Sequence, residues 1–353
     1  DRRARGRAVI FGRTKPEATP LDGIDVVLAD LDGVVYAGPG ALPHAVDSLN
    51  RAQAEGRRLG YITNNASRTD ASVAKHLSSL GLHVEASDVT TSPQAAMRLM
   101  KDLVPAGSTL LVIGGEGLVV EVQKAGFVVT RSADDAPAAV VQGFAPEVGW
   151  AQLAEAAYAL ATPIEDGGIP WVATNSDWTI PQARGIAPGN GTLVSAVHTA
   201  VGRLATIAGK PERPIFDVAV ARTGAQAPLF IGDRLDTDIQ GARTADMPSV
   251  LVLTGIDRPK QVLAAIPSQR PDYIIEDLRQ LFEPYPATIV KGARTRVGDA
   301  IVEIDGVDLR IVSQGDRQID LLRAGAAAIW ESGRAIFGFR VPEQLYADPF
   351  RGR

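Results

Sequence analysis

The order of elements predicts an α/β protein, and three observations carry that prediction. Short apolar runs rich in β-branched residues end at polar or acidic groups: the run closing at Ala29 stands before Asp30, Leu59–Ile62 before Thr63, and Leu229–Ile231 before Gly232-Asp233. Helical periods separate the runs, which implies βαβ units and a mostly parallel sheet. The alternation restarts after Ser92-Pro93 and breaks at Pro284-Tyr285-Pro286. The expected architecture is therefore a Rossmann-like parallel-sheet core, an inserted α/β cap domain, and a small C-terminal α+β appendage. The boundaries read as a loose leader over 1–22, a core over 23–93 and 205–284, a cap over 94–204, and a C-terminal module over 285–353.

Taken in order, the first strand ends at Ala29, and Pro43–Glu55 forms a helix because Ala45, Leu49 and Ala52 recur at helical spacing. A strand over Leu59–Ile62 and a helix over Ala71–Leu80 follow, the latter stopped by Gly81, a natural residue just past a helix end. Val89–Thr91 reads as a short strand. In the inserted unit, Leu110–Ile113, Ala139–Val141 and Trp171–Ala173 read as strands, with helices over Glu116–Lys124, Trp150–Leu160 and Thr192–Arg203. The core resumes with Phe216–Arg222, Leu229–Ile231, Thr237–Arg243 and Val250–Leu253, and Tyr273–Ile275 can add an edge strand. In the appendage, Ala300–Ile304 and Leu309–Val312 read as strands and Gln318–Trp330 as a helix.

Chemistry concentrates where these strands end. Asp30 and Asp32 flank Leu31 and precede Gly33 at the exit of an apolar run. Two carboxylates there raise each other's pKa, and burial raises it further, unless a cation neutralises them. The pair points to a divalent metal and to an acidic group poised for chemistry; a solvated turn is the bland alternative for the pair alone. Downstream, Gly232-Asp233-Arg234-Leu235-Asp236-Thr237-Asp238 repeats the pattern of strand, small residue and acid. Thr63-Asn64-Asn65 closes a third run, and Lys210 stands between Gly209 and Pro211. Ligands of open α/β sheets bind outside the carboxyl ends of the strands, at a switch in strand order. If these strands are neighbours, the groups converge on one crevice.

Composition narrows the classes. A chain of 353 residues suits two or three domains. The formal net charge of −5 argues against general nucleic-acid binding. The absence of cysteine excludes disulfides, thiol catalysis and cysteine zinc sites, and it fits a cytoplasmic protein. No run approaches the ~18 apolar residues of a membrane span. The basic start, Asp1 to Arg7, is followed by no apolar stretch of signal-peptide length. His44, His76, His83 and His198 show no ligand spacing. Gly114-Gly115-Glu116-Gly117 lacks the full dinucleotide-binding fingerprint and reads as a tight turn.

Together the four stretches resemble the haloacid-dehalogenase superfamily of phosphatases. Asp30 and Asp32 resemble its first motif, Thr63 its second, Lys210 its third and the run from Gly232 to Asp238 its fourth, in the right order over residues 25–281. The details are most similar to the branch of phosphoglycolate, glycerol-3-phosphate, pyridoxal-phosphate and nitrophenylphosphate phosphatases, which carry a large cap between the second and third motifs. The resemblance implies a magnesium-dependent phosphatase acting on a small phosphorylated metabolite, with no nucleic acid and no membrane as partner. It casts Asp30 as nucleophile, forming an aspartyl-phosphate, and Asp32 as general acid and base. Thr63, Asn64, Asn65 and Lys210 would bind phosphate. Magnesium would be held by Asp30, Asp233 and the backbone carbonyl of Asp32, with Asp238 behind it orienting waters or Lys210. Dehalogenases of the superfamily lack an acid at the position of Asp32, so its presence favours phosphoryl transfer.

The stretch Ala173 to Pro181 resembles the family's cap loop, which gives Asn175, Asp177 and Ile180 as substrate-facing residues. Pyridoxal-phosphate phosphatases place a histidine at about the position of Ile180. Its absence favours a compact substrate, glycerol 3-phosphate first and phosphoglycolate second, and with it a place in glycerolipid metabolism. Caps of this type often mediate dimers, so a homodimer is an expectation. Two other readings stand beside the hydrolase: a phosphotransferase to an acceptor other than water, and a nonenzymatic scaffold that binds through the C-terminal module.

Overall fold

The computed structural model describes residues 18–182 and 184–347. The chain enters the core through β1 (Val26–Ala29), every residue of which is buried. A small hairpin follows, β2 (Tyr36–Ala37) and β3 (Gly40–Ala41). Helix α1 (Ala45–Ala54) buries Ala45, Leu49 and Ala52, the residues whose spacing predicts it. Then come β4 (Arg58–Thr63) and α2 (Asp70–Ser79). The Thr69 hydroxyl accepts the Ser72 N–H and caps α2, and Gly81 stands just beyond its end. β5 (Val89–Thr91) leads directly into α3 (Ser92–Leu103). This helix has no counterpart in the sequence reading, which takes Ser92-Pro93 as a break. Thr91 and Gln94 form a reciprocal capping box there, and Pro93 sits in the first turn, where its missing N–H costs no hydrogen bond.

The inserted unit runs through β6 (Thr109–Ile113), α4 (Glu116–Lys124), β7 (Val128–Thr130), β8 (Ala139–Gln142), α5 (Trp150–Ala159) and β9 (Trp171–Ala173). It continues with the hairpin β10 (Thr179–Gln182) and β11 (Gly185–Pro188), helix α6 (Asn190–Val201) and β12 (Thr206–Ile207). Five of these strands form a parallel sheet in the order β12-β9-β8-β6-β7.

The core resumes with α7 (Arg213–Thr223), β13 (Pro228–Gly232), a π-helical turn over Leu235–Ile239, α8 (Gln240–Thr244), β14 (Ser249–Val252), α9 (Pro259–Leu263) and β15 (Tyr273–Ile275). Its sheet is parallel throughout, in the order β15-β14-β13-β1-β4-β5, with Tyr273–Ile275 at the edge. From β1 the chain moves to β4 on one side, and after the insertion it returns to β13 on the other. The seam between β1 and β13 is therefore the switch in strand order where ligands of such sheets bind. Apolar layers cover both faces. One holds Leu49, Tyr61 and Leu77; the other holds Leu28, Phe216 and Phe230, and it extends into Leu110 and Val141 of the inserted unit.

Beyond the core, β16 (Thr288–Lys291), β17 (Arg294–Val297), β18 (Ala300–Asp305) and β19 (Asp308–Ser313) form an antiparallel sheet in sequence order, packed on α10 (Gln318–Glu331). β16 and β17 escape a reading based on apolar alternation. β16 is exposed along its whole length, and β17 buries only Thr295 and Val297. Of the expected loose leader, residues 1–17 lie outside the described residues, and within 18–22 Pro20 and Leu21 are buried. Thr19 donates twice to the Asp22 carboxylate, and Leu21 is buried in the core cluster. Among the described residues no helix is long and apolar enough to cross a membrane.

Arg323 joins α10 to the core edge. Its Nε and Nη2 donate to the Ile274 carbonyl at 2.9 and 2.6 Å, and Nη1 donates to Asp320 at 2.7 Å. The guanidinium carbon lies 4.3 Å from the Tyr285 ring centre. Removing one member of a buried ion pair leaves the other uncompensated, at a cost of about 3–5 kcal/mol. Arg323→Met is therefore expected to lower the unfolding free energy by roughly 3–5 kcal/mol in urea titration. A change under about 0.5 kcal/mol, the range of ordinary surface substitutions, would show that the contact carries no stability.

Candidate active site

Each group singled out in the sequence stands at the carboxyl end of a core strand or on a loop facing it. Asp30 follows β1, Thr63 ends β4 and Asp233 follows β13. The parallel register pairs Ala29 with Ile231, and the Asp30 N–H donates to the Ile231 carbonyl at 2.8 Å, so Asp30 and Asp233 emerge side by side. One cavity of about 410 Å³ is lined by all eleven candidates: Asp30, Asp32, Thr63, Asn64, Asn65, Lys210, Asp233 and Asp238 with Asn175, Asp177 and Ile180.

Lys210 is the electrostatic centre. It is buried, and its Nζ donates to Asp30 Oδ1 and to Asp238 Oδ1, each at 2.6 Å. Burial alone would depress the ammonium pKa; the charges and hydrogen bonds of Asp238 and Asp30 reverse the sign and hold it above its ordinary value. One cation does not balance the carboxylates around it. Burial, with Asp238 nearby, pushes the Asp30 carboxyl up to about 7 against the opposing pull of Lys210. Burial also drives Asp233 well above the carboxylate range, helped by repulsion from Asp238 and Asp30. Asp32 is raised by burial, with Arg68, Lys210 and His76 pulling the other way.

Asp233 is held by residues the sequence reading overlooks. Its Oδ2 accepts the Ile256 N–H at 2.7 Å. A Cβ on Gly255 would lie 1.9 Å from that oxygen, and one on Gly33 would lie 2.3 Å from it. Gly33 also has φ +78°, a left-handed conformation. Thr254 donates its hydroxyl to the Gly33 carbonyl at 2.6 Å, which ties the two glycine turns together. The loop 254–256 follows β14, so the strand-end rule could have found it. Phe144 also lines the cavity, and nothing in its sequence surroundings marks it.

Asp238 accepts three hydrogen bonds. Its Oδ2 accepts the N–H groups of Asp233 and Arg234 at 3.0 and 3.1 Å, and its Oδ1 accepts Lys210. Thr63 is buried, and its Oγ1 accepts the Asn65 N–H at 3.1 Å. The Asn64 side chain does not point to the cavity alone; it bonds to the backbone of Lys210 and to Asp177. From the cap, Asn175 donates to the Asn64 carbonyl at 2.8 Å, and its own carbonyl accepts from Asn190 at 2.8 Å.

Carboxylate oxygens of Asp30, Asp233 and Asp238 lie within 4.8 Å of one another, all three residues buried. A hard divalent cation takes oxygen ligands in this arrangement, and it would cancel the charge excess that Lys210 leaves. The donor set fits magnesium.

Comparison with known proteins agrees with this geometry. The family model for haloacid dehalogenase-like hydrolase matches residues 27–128, and one for related hydrolases of the same group matches 207–281. The D-glycerol 3-phosphate phosphatase of Mycobacterium tuberculosis is 41% identical over 336 residues, covering 93% of this chain and 92% of that one. Human chronophin is 33% identical over 73% of this chain and 92% of its own length. A crystal structure of the mycobacterial glycerol phosphate phosphatase in complex with magnesium superposes with a TM-score of 0.82 at 38% identity, covering 92% of this chain and 94% of that one.

Magnesium that binds only the folded chain must stabilise it, by about 2.7 kcal/mol at a hundredfold excess over its dissociation constant. We expect millimolar Mg2+ to raise the melting temperature of the unmodified protein, and Asp233→Asn to lose most of that rise. Equal stabilisation of both proteins would place the ion elsewhere.

Proposed function

The chain belongs to the haloacid dehalogenase-like hydrolases, and from that premise we propose that it is a magnesium-dependent phosphatase converting glycerol 3-phosphate to glycerol and inorganic phosphate. The observation that carries this reading is the convergence of Asp30, Asp32, Thr63, Lys210 and Asp233 on one cavity roofed by Asn175, Asp177 and Ile180. Relatives named as glycerol-3-phosphate phosphatases support the substrate.

Uncatalysed phosphate-monoester hydrolysis is extremely slow, and a covalent route divides the barrier. Asp30 attacks phosphorus; its carboxylate oxygen forms the new bond as the ester P–O bond breaks. The electron pair leaves with the glycerol oxygen, which takes a proton from Asp32. Burial that raises the Asp32 pKa favours the protonated acid needed for this step. Asp32, now a carboxylate, takes a proton from water, and the resulting hydroxide attacks phosphorus to release phosphate and restore Asp30. Lys210, with Oδ1 of Asp30 already in its grip, places a fixed positive charge beside the transferring group, where charge builds on the equatorial oxygens. The Thr63 hydroxyl adds a donor. Asp30, Asp233 and the Asp32 backbone carbonyl would hold magnesium, which supplies charge neutralisation to the phosphoryl oxygens. Asp238, with its oxygens committed to protein donors, serves by holding Lys210 and the turn after β13.

The apolar Ile180 and Phe144 beside the cavity suit a compact three-carbon ester. The cap, residues 94–204, carries the inserted sheet and selects the substrate; the C-terminal module, 285–353, is structural, and its helix α10 packs on the core edge. Exposed Trp150, Tyr158 and Leu204 on the inserted unit support a homodimer formed through it. The cysteine-free composition supports a cytoplasmic place of work.

The test is phosphate release from glycerol 3-phosphate, phosphoglycolate and pyridoxal phosphate, with Mg2+ and with chelator. Release is expected with glycerol 3-phosphate fastest, and only with the metal. Asp30→Asn should fall below about a thousandth of the unmodified rate, the scale on which loss of a covalent nucleophile acts, while its melting curve stays cooperative. Near-full activity of that variant would remove Asp30 from the role, and transfer of phosphate to added alcohols in preference to water would replace the hydrolase reading with a transferase.

A further inference from the structure

Asn64 carries more hydrogen bonds than a phosphate-binding loop residue needs. Its side-chain Oδ1 accepts the Lys210 N–H at 2.8 Å, and its Nδ2 donates to the Lys210 carbonyl at 3.1 Å. The amide thus grips both polar groups of the lysine backbone. The second Nδ2 proton goes to Asp177 Oδ1, also at 3.1 Å. The orientation of this amide follows from its surroundings: two oxygens face Nδ2 and one N–H faces Oδ1, so the flipped arrangement would oppose like partners. The Asn64 carbonyl accepts two further bonds, from Ser92 Oγ at 2.7 Å and from Asn175 Nδ2 at 2.8 Å.

These contacts join parts of the fold that are distant in sequence. Ser92 opens α3 at the start of the insertion, Asn175 and Asp177 belong to the cap loop, and Lys210 belongs to the returning core. Lys210 has the most exacting position of the group, since its Nζ must reach Asp30 and Asp238 together.

We propose that Asn64 is a positioning residue that couples the seating of the cap loop to the placement of Lys210. Resting on the phosphatase reading for its catalytic consequence, it adds a role that the sequence motif does not specify. When Asp177 docks on Nδ2, the amide is fixed in the orientation that grips the Lys210 backbone, and the ammonium is set beside Asp30. When the cap loop lifts, one of the three side-chain bonds is lost, and the lysine backbone is held less firmly. No residue of the same length other than asparagine offers two donors and an acceptor in one plane; aspartate would set a second carboxylate against Asp177 and against the Lys210 carbonyl.

The test has two independent readings on the full-length protein. Without substrate, amide hydrogen exchange over the segment containing Lys210 should speed up at least tenfold in Asn64→Ala, and to a lesser degree in Asp177→Ala. Asp177→Asn, which keeps an acceptor for Nδ2, should restore most of the protection. With substrate, Asn64→Ala should lower kcat by ten- to a hundredfold with KM within about threefold, as for a group acting through another rather than on bound substrate. The double variant Asn64→Ala with Asp177→Ala should be no slower than Asn64→Ala alone, because both changes break one linkage. Unchanged exchange at Lys210 in Asn64→Ala would overturn the proposal whatever the substrate proves to be. A rise in KM with kcat preserved would reassign Asn64 to direct substrate binding, and multiplicative losses in the double variant would show that cap and lysine are not coupled through it. Should the unmodified enzyme release phosphate from no ester while exchange responds as expected, the phosphatase reading fails and the linkage stands.

Discussion

A charge imbalance governs this molecule. Asp30, Asp233 and Asp238 are buried within a few ångströms of one another, and one buried ammonium, Lys210, lies among them. Carboxylates removed from water at such spacing disfavour joint ionisation, and one lysine cannot satisfy all three. The arrangement is tolerable in a folded chain because its charge deficit is to be filled by a cation, and because Lys210 is shared between two acids. The surrounding geometry follows from that requirement. The parallel sheet brings Asp30 and Asp233 out at one seam, the glycines at 33 and 255 let backbone pass against the Asp233 carboxylate, and the Ile256 amide supplies a donor in place of water.

The topology explains why acids so far apart in sequence meet. β1 and β13 are neighbours in the sheet although the inserted unit lies between them in the chain. An insertion that starts after β5 and returns before α7 leaves the sheet intact, since β5 and β13, the core strands on either side of it in the chain, are not paired with each other. The cap loop is thereby set over the carboxyl ends of the strands, where it faces the cavity. Its contact with the core there runs through Asn64, which bonds to Asn175, Asp177 and Lys210 together. Core and cap therefore share a polar joint at the Lys210 backbone.

Much of this was legible in the sequence because it was written in local patterns. β1, β5 and α4 occupy the spans that apolar runs and helical spacing predict, and the acids at 30 and 233 stand where strand ends put ligands. What escaped has a physical cause in each case. α3 was hidden because Pro93 signals both a break and a helix start, and only the capping box of Thr91 with Gln94 decides between them. β10 and β11 carry prolines and lie as a two-stranded hairpin apart from the main sheets, so alternation gives no signal. β16 buries nothing. The work of Asn64 could not be read at all: asparagine after a strand is at home in any turn, and its side-chain partners lie more than a hundred residues away.

Hydrogen-bond partners separate the acids. Proximity alone groups Asp238 with Asp30 and Asp233 as a third metal ligand. Its oxygens argue otherwise. Oδ2 holds the amides of Asp233 and Arg234, which fixes the turn that carries Asp233, and Oδ1 holds Lys210. To bind a cation directly, Asp238 would have to use its one remaining lone-pair site, at Oδ1 beside the Lys210 ammonium, which repels a cation there. Asp233 has no such conflict: its carboxylate accepts one backbone amide at Oδ2 and keeps its remaining lone pairs for a metal. The proposed division of labour follows from hydrogen-bond inventory: Asp30 and Asp233 would face the ion and the substrate, and Asp238 holds the turn and the lysine behind them.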